Sequence, residues 1–203
     1  MGNYTAFHID AKLKASTPKY VIDILKLLTV GPGEDFINFA ATHEYVKKKS
    51  DQLASDFFQT SHYDCLFYMD SAYFVMDTEY FFEEHDGVWY LHGNSNLKNY
   101  DDEISKFCQF IHPYIDLPDG DNRFAYELYE TGQYGVVYMV DQDGKFLKEN
   151  ISIPCNEETQ YWMASDFECH FDDEWEDLRQ KVYKDQEWYA KKEEAGEVNV
   201  YKD

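Results

Sequence analysis

An α+β fold built on an antiparallel sheet is predicted by three features of the 203-residue sequence. Its elements follow in the order strand, helix, hairpin, helix, strand, which is the order of a ferredoxin-like split βαβ domain with two helices on one face. An Asp86-Gly87 pair stands between two aromatic runs, the mark of a tight hairpin, because glycine accepts the positive φ that such a turn requires. Turn signals at 117–120, 131–133 and 141–144 then divide the following chain into short strands.

The first strand is expected over residues 4–14. There Tyr4, Ala6, His8, Ala11 and Leu13 interleave imperfectly with Thr5, Asp10 and Lys12. Thr17 is placed as the cap of the first helix, with Pro18 at the first helical position, where its missing N–H costs nothing. Val21, Ile22, Ile24, Leu25 and Leu28 recur at helical spacing, and Gly31-Pro32-Gly33 closes the helix. Residues 34–62 form an insertion. It holds a short helix around Phe36, Phe39, Ala40 and His43 and a solvated basic run at Lys47, Lys48 and Lys49.

Residues 63–69 and 72–76 are rich in β-formers and are expected to be extended. The run 73–84 leads into the turn at His85-Asp86-Gly87, and 88–96 returns from it. Asn99 is expected to cap the second helix. Asp101, Asp102 and Glu103 are assigned to its first turn, where carboxylates suit the positive end of the helix dipole. Ile104, Phe107, Cys108 and Ile111 form its apolar stripe, and His112-Pro113 ends it. Strands are expected over 124–130, 134–140 and 145–153.

From Pro154 the composition shifts. Residues 151–203 carry 15 acids and 6 bases, and a helix is expected over 167–192, with Phe171, Trp175, Leu178, Val182, Trp188 and Tyr189 as contacts. The chain therefore divides into a ferredoxin-like domain over 1–153 and an acidic, aromatic-rich helical extension over 154–203.

Composition narrows the function. Aromatic residues make up 18% of the chain, which argues against disorder. No run of 18 apolar residues is present to span a membrane, and the N-terminus shows no basic segment followed by an apolar core. The four cysteines, Cys65, Cys108, Cys155 and Cys169, form no C-x-x-C pair and are expected to be free thiols in a reducing cytoplasm. Forty acids against 18 bases leave a net charge of −22, so direct nucleic-acid binding through a basic face is disfavoured.

The charge map carries the functional expectation. Residues 50–97 contain nine acids and no Lys or Arg, and residues 164–178 contain seven acids and again no base. Soluble surfaces ordinarily mix both signs, because a one-sign face repels itself. Solubility or a salt-rich environment is one explanation. The other is that the carboxylates meet a basic, nucleic-acid-binding surface of a partner protein and imitate phosphates there, with aromatic residues as anchors. The residues expected to bind are Asp77, Glu79, Glu83, Glu84 and Asp86 on the hairpin, and Asp172, Asp173, Glu174, Glu176 and Asp177 in the extension. Strand parity puts Asp77, Glu79 and Glu83 on one face and Glu84 on the other.

Candidate chemical groups are fewer. His85 and His92 flank the hairpin turn as surface imidazoles or as a pair sharing a metal or proton. Asp101-Asp102-Glu103 suits a cation as well as a helix start. Asp141-Gln142-Asp143-Gly144 resembles the opening of a calcium loop but lacks the closing glutamate, and reads as a hairpin turn. Cys169-His170 lacks further ligands at zinc spacing. No nucleophile elbow, zincin motif or phosphate loop is present, so neither catalysis, a cofactor nor a metal is expected. The alternatives are a small-ligand or metal-dependent enzyme on the ferredoxin-like sheet, or a structural or assembly protein.

One set of residues resembles a known group of proteins. Ser71-Ala72-Tyr73-Phe74, the run Asn96-Leu97-Lys98-Asn99-Tyr100-Asp101-Asp102-Glu103-Ile104, Phe107 and Pro113-Tyr114 are similar to a pattern in uncharacterised proteins borne by bacteriophages and prophages. The likeness covers residues 4–150 and brings no catalytic residue with it. It implies a mobile-element setting and the cytoplasm of a bacterial host. Small acidic proteins of that setting are similar in type to anti-restriction and anti-CRISPR inhibitors, several of which mimic DNA. The implied partner is a host defence nuclease or effector complex.

Overall fold

Polar and apolar residues alternate in the first strand, yet nearly every side chain from Thr5 to Leu13 is buried. Such a strand must lie in the middle of a sheet with both faces covered. The computed structural model describes residues 4–29, 52–68, 79–117, 122–129 and 134–152, and places this strand, β1 (Thr5–Leu13), in that position.

The described elements are α+β. After β1 come α1 (Lys19–Leu28), α2 (Gln52–Phe58), the hairpin β2 (Glu79–His85) and β3 (Val88–Leu97), α3 (Glu103–Ile111), the short β4 (Ile115–Asp116), then β5 (Arg123–Tyr129), β6 (Tyr134–Val140) and β7 (Phe146–Ser152). All described pairings are antiparallel, in the spatial order β2-β3-β1-β5-β6-β7, with β4 pairing the end of β1.

Pleat parity separates two faces. Phe7, Ile9, Ala11 and Leu13 point to the helices and share one core with Val21, Ile24 and Leu25 of α1, Phe57 of α2, and Ile104, Phe107 and Phe110 of α3. Phe57 contacts Phe107 at 5.3 Å and Phe110 at 6.5 Å between ring centroids, which docks α2 on α3. Burying side chains of this size contributes about 1.5–3 kcal/mol each. The opposite side of the sheet carries Ala6, His8 and Asp10, with Phe81, His92, Asn94, Tyr126 and Leu128 from neighbouring strands, all at most 8% exposed.

Several local expectations change. Pro18 itself caps α1, with φ −62° and ψ 144°, and its carbonyl accepts from the Val21 amide. The Thr17 hydroxyl instead donates back to the Lys14 carbonyl at 2.6 Å, so the helix starts one residue later than expected. Residues 63–68 are not extended. They form a 3₁₀ turn and its continuation, in which Cys65 and Tyr68 amides bond three residues back. The β-forming composition there serves packing instead: Leu66 and Phe67 are fully buried, and Ser95 Oγ donates to the Leu66 carbonyl at 2.5 Å.

The expected turns at 86–87 and 141–144 are present. Asp86 and Gly87 have φ 52° and 81°, closing a two-residue hairpin. In the second turn Asp141 Oδ1 accepts from the Asp143 and Lys145 amides, and Gly144 takes φ 80°. Helix α3 begins at Glu103, with Asp101 and Asp102 before it. The N-cap is Asp102, at φ 57°, not the expected Asn99; Asn99 serves the helix end from outside, through Oδ1 accepting the Ile104 amide at 3.1 Å. The expected elements over 34–51, over 72–76 and in the 154–203 extension lie outside the described residues. No described helix is long and apolar enough to cross a membrane.

Candidate functional site

The antiparallel register sets polar residues of β1 directly against polar residues of β3. His8 stands opposite Asn94, and Asp10 opposite His92. All four face away from the helices. Asp10 accepts from both imidazoles: His8 Nε2–H donates to Oδ2 at 2.8 Å, and His92 Nδ1–H donates to Oδ1. On its other side, His8 Nδ1 meets Asn94 Oδ1 at 2.5 Å. Aromatic rings flank the row. Phe81 of β2, opposite His92 in register, stacks on it at 5.3 Å, and Tyr126 of β5, opposite His8, stacks on it at 4.8 Å.

A carboxylate exposed by only 2% would ordinarily be protonated, since desolvation raises its pKa. Here the attraction of His92 and then of His8, with a hydrogen bond from each ring, outweighs that cost. It holds Asp10 well below the usual carboxylate range. The row is therefore a buried anion clasped by two imidazoles, an arrangement suited to storing or passing a proton.

A second buried carboxylate lies on the helix side. Glu127 of β5 accepts from Asn99 Nδ2 at 3.1 Å and from the Tyr129 hydroxyl at 2.7 Å. Burial pushes its pKa up, against the lowering effect of its tyrosine hydrogen bonds. Burial does the same to the neighbouring Cys108 thiol, helped by the Glu127 charge. Glu127 fixes the Asn99 amide, which in turn bonds the Ile104 amide at the start of α3, so its role is accounted for by the fold. Glu103 is likewise used internally, accepting from the Asp101 and His62 amides.

The acidic residues expected to bind a partner are placed as follows. Asp77 lies outside the described residues, as do Asp172, Asp173, Glu174, Glu176 and Asp177. Glu79 opens β2 opposite Asn94. Glu83 stands opposite Tyr90 on the side of the polar row, half-buried, with a carboxylate oxygen 3.8 Å from His85 Nε2. Glu84 is exposed on the other side, opposite Trp89, and Asp86 is exposed at the hairpin tip.

Folding brings bases to a hairpin that has none in its own sequence. Lys12 of β1 stands opposite Tyr90, and Lys26 of α1 holds its ammonium 4.5 Å from the Trp89 ring centre. The absence of bases over 50–97 is thus a property of the sequence that the fold partly offsets. Glu84 and Asp86 at the tip remain exposed acids.

His92 is not a surface imidazole and does not face His85. It is fully buried beside Asp10, and its cross-strand neighbour is Phe81. Asp101 uses Oδ2 to accept the Ser61 amide at 3.0 Å and the Ser61 hydroxyl at 2.5 Å, bonds that lower its pKa. Among the described residues no group of three or more His, Cys, Asp and Glu side chains is arranged to hold a metal ion, and Cys65 and Cys108 are free thiols.

Sequence reasoning missed His8, Asp10 and Asn94. The available signal was the two-residue spacing of polar groups in otherwise apolar strands, His8 and Asp10 in one and His92, Asn94 and Asn96 in the other. No protein-family model matches the chain, and no curated protein or solved structure matches it either.

Proposed function

We propose that this protein is an acidic binding protein that occupies the basic nucleic-acid-binding surface of another protein. In the reading that its likeness to phage-borne proteins suggests, the partner is a host defence nuclease or effector in the bacterial cytoplasm. The observation that carries the proposal is charge: 40 acids against 18 bases, with nine acids and no base over residues 50–97. A nucleic-acid groove is the commonest extended surface of the opposite sign. The exposed Glu84 and Asp86 at the end of a hairpin closed by a two-residue turn supply one contact point. The extension over 154–203 supplies the second acidic block.

The spatial order β2-β3-β1-β5 supports the finer reading of the fold as a ferredoxin-like split βαβ sheet, widened by β6 and β7.

The test is affinity capture from a bacterial lysate, followed by elution with duplex DNA. The partner is expected to bind at about 0.1 M salt, to be lost near 1 M, and to be released by the DNA. Glu84→Lys with Asp86→Lys, combined with reversal of Asp172, Asp173, Glu174, Glu176 and Asp177, should abolish capture. A partner that DNA does not release, or that binds the reversed variant equally well, overturns the proposal.

A second reading is favoured by the buried Asp10 between two imidazoles: a small-ligand or proton-transfer module on the polar side of the sheet. A ligand that raises the melting temperature of the wild type but not of Asp10→Asn would support it.

A further inference from the structure

His8 occupies an unusual position between two oxygens. Its Nε2 faces Asp10 Oδ2 at 2.8 Å and its Nδ1 faces Asn94 Oδ1 at 2.5 Å. A neutral imidazole has one N–H and one lone pair, so it can donate from only one nitrogen. Both bonds form together only when each ring nitrogen carries a proton. A neutral ring would fit only if the Asn94 carboxamide turned to present its NH2 group. The His8 side chain is 10% exposed and its ring is stacked on Tyr126, so water offers little alternative.

We propose that His8 is a proton-operated latch on the pairing of β1 with β3. With both nitrogens protonated it joins Asp10 on its own strand to Asn94 on the neighbour. When the Nδ1 proton leaves for solvent, the bond to Asn94 is lost until the carboxamide turns its NH2 group toward the bare nitrogen, while Nε2–H stays on Asp10. The latch thus has two arrangements, one for each charge state of the ring, and solution pH selects between them.

The groups that face it are known among the described residues. On β1 they are Asp10 and, one step further along the same side, Lys12. From β3 they are His92 and Tyr90; from β2, Glu83 and His85, with Glu79 at the register position opposite Asn94; from β5, Tyr126 and, beyond the bulge at the position opposite Met139, Arg123; and in the same cross-sheet row on β7, Glu149. Asp10 is the carboxylate bonded directly to the ring, so the latch depends first on it.

The direct experiment is 15N–1H NMR of the imidazole nitrogens in the full-length protein between about pH 5 and pH 9, the interval in which histidines titrate. At the acid end both His8 nitrogens should carry protons, and the Asn94 side-chain resonances should move together with His8 as pH rises. In Asn94→Asp, where a carboxylate cannot turn to donate, the His8 transition should move up by about one pH unit or more. The urea midpoint of the wild type should fall across the same transition, and that of His8→Gln should not. A His8 ring with one bare nitrogen throughout overturns the proposal on the wild type alone. So does an Asn94→Asp variant with an unmoved transition, or an identical pH dependence of the urea midpoint in wild type and His8→Gln.

Discussion

Replacing Gly93 with alanine should destabilise the protein by about 2 kcal/mol, through one ring. Gly93 lies in β3 opposite Ile9, on the helix side of the sheet. A methyl group built there would sit 2.4 Å and 2.5 Å from Cε1 and Cδ1 of Phe67, closer than carbon atoms approach. The ring has little room to retreat. Phe67 is fully buried, with Phe7 at 6.0 Å and Phe107 at 5.6 Å. Overpacking of this kind costs about 1–3 kcal/mol. Alanine recovers roughly 0.5–1 kcal/mol of backbone entropy that glycine loses on folding. With the ring held on both sides the clash belongs at the top of that range, about 3 kcal/mol, so the expected net loss is about 2 kcal/mol. It should be read from urea midpoints at constant slope, or as a fall in melting temperature of roughly 4–8 °C. The decisive measurement is the double-mutant cycle with Phe67→Ala, which alone should cost about 3–5 kcal/mol. In that background the clash is gone, and Gly93→Ala should be neutral or slightly stabilising. A full penalty in the absence of the Phe67 ring, or none in its presence, would refute the reasoning.

Four other outcomes are expected. The folded-state pKa of Asp10 is depressed, so its carboxylate contributes stability above the unfolded carboxylate range and loses it as pH falls; acid unfolding of Asp10→Asn should be flatter below about pH 4 than that of the wild type. At neutral pH the same variant should be less stable, because two buried imidazoles lose their anion, which denaturant titration will read as a loss on the order of 3 kcal/mol. Gly87→Ala, at φ 81°, should cost about 1–2 kcal/mol in thermal unfolding, because a Cβ disfavours the left-handed region. Asn99→Ala removes the acceptor of the Ile104 amide and should cost about 1 kcal/mol, with faster amide exchange in the first turn of α3.

Elements bounded by local chemistry were legible in the sequence. The Asp86-Gly87 turn, the Asp141 to Gly144 turn and the apolar stripes of α1 and α3 depend on residues within a few positions of one another. The antiparallel α+β class followed from them. Residues 63–68 were misread because their β-forming side chains are used as core plugs, and burial of Leu66 and Phe67 overrides strand preference. The polar row was invisible for a different reason. Asp10 meets His92 across a separation of 82 residues and His8 meets Asn94 across 86, so only the register of the folded sheet brings them together. The acidic block over 50–97 was legible as composition, whereas Lys12 and Lys26 beside the hairpin come from elsewhere in the chain.

The central place of β1 also bears on how the chain assembles. Its partners in the ladder lie at 90–97 on one edge and at 115–116 and 125–129 on the other, so the second edge cannot be filled until five of the seven described strands have been synthesised. Both closures are long-range, which makes for slow folding and leaves a strand of nine residues waiting with bare amides and apolar side chains. His8 and Asp10, which interrupt its apolar sequence, also make it a poorer template for aggregation while it waits.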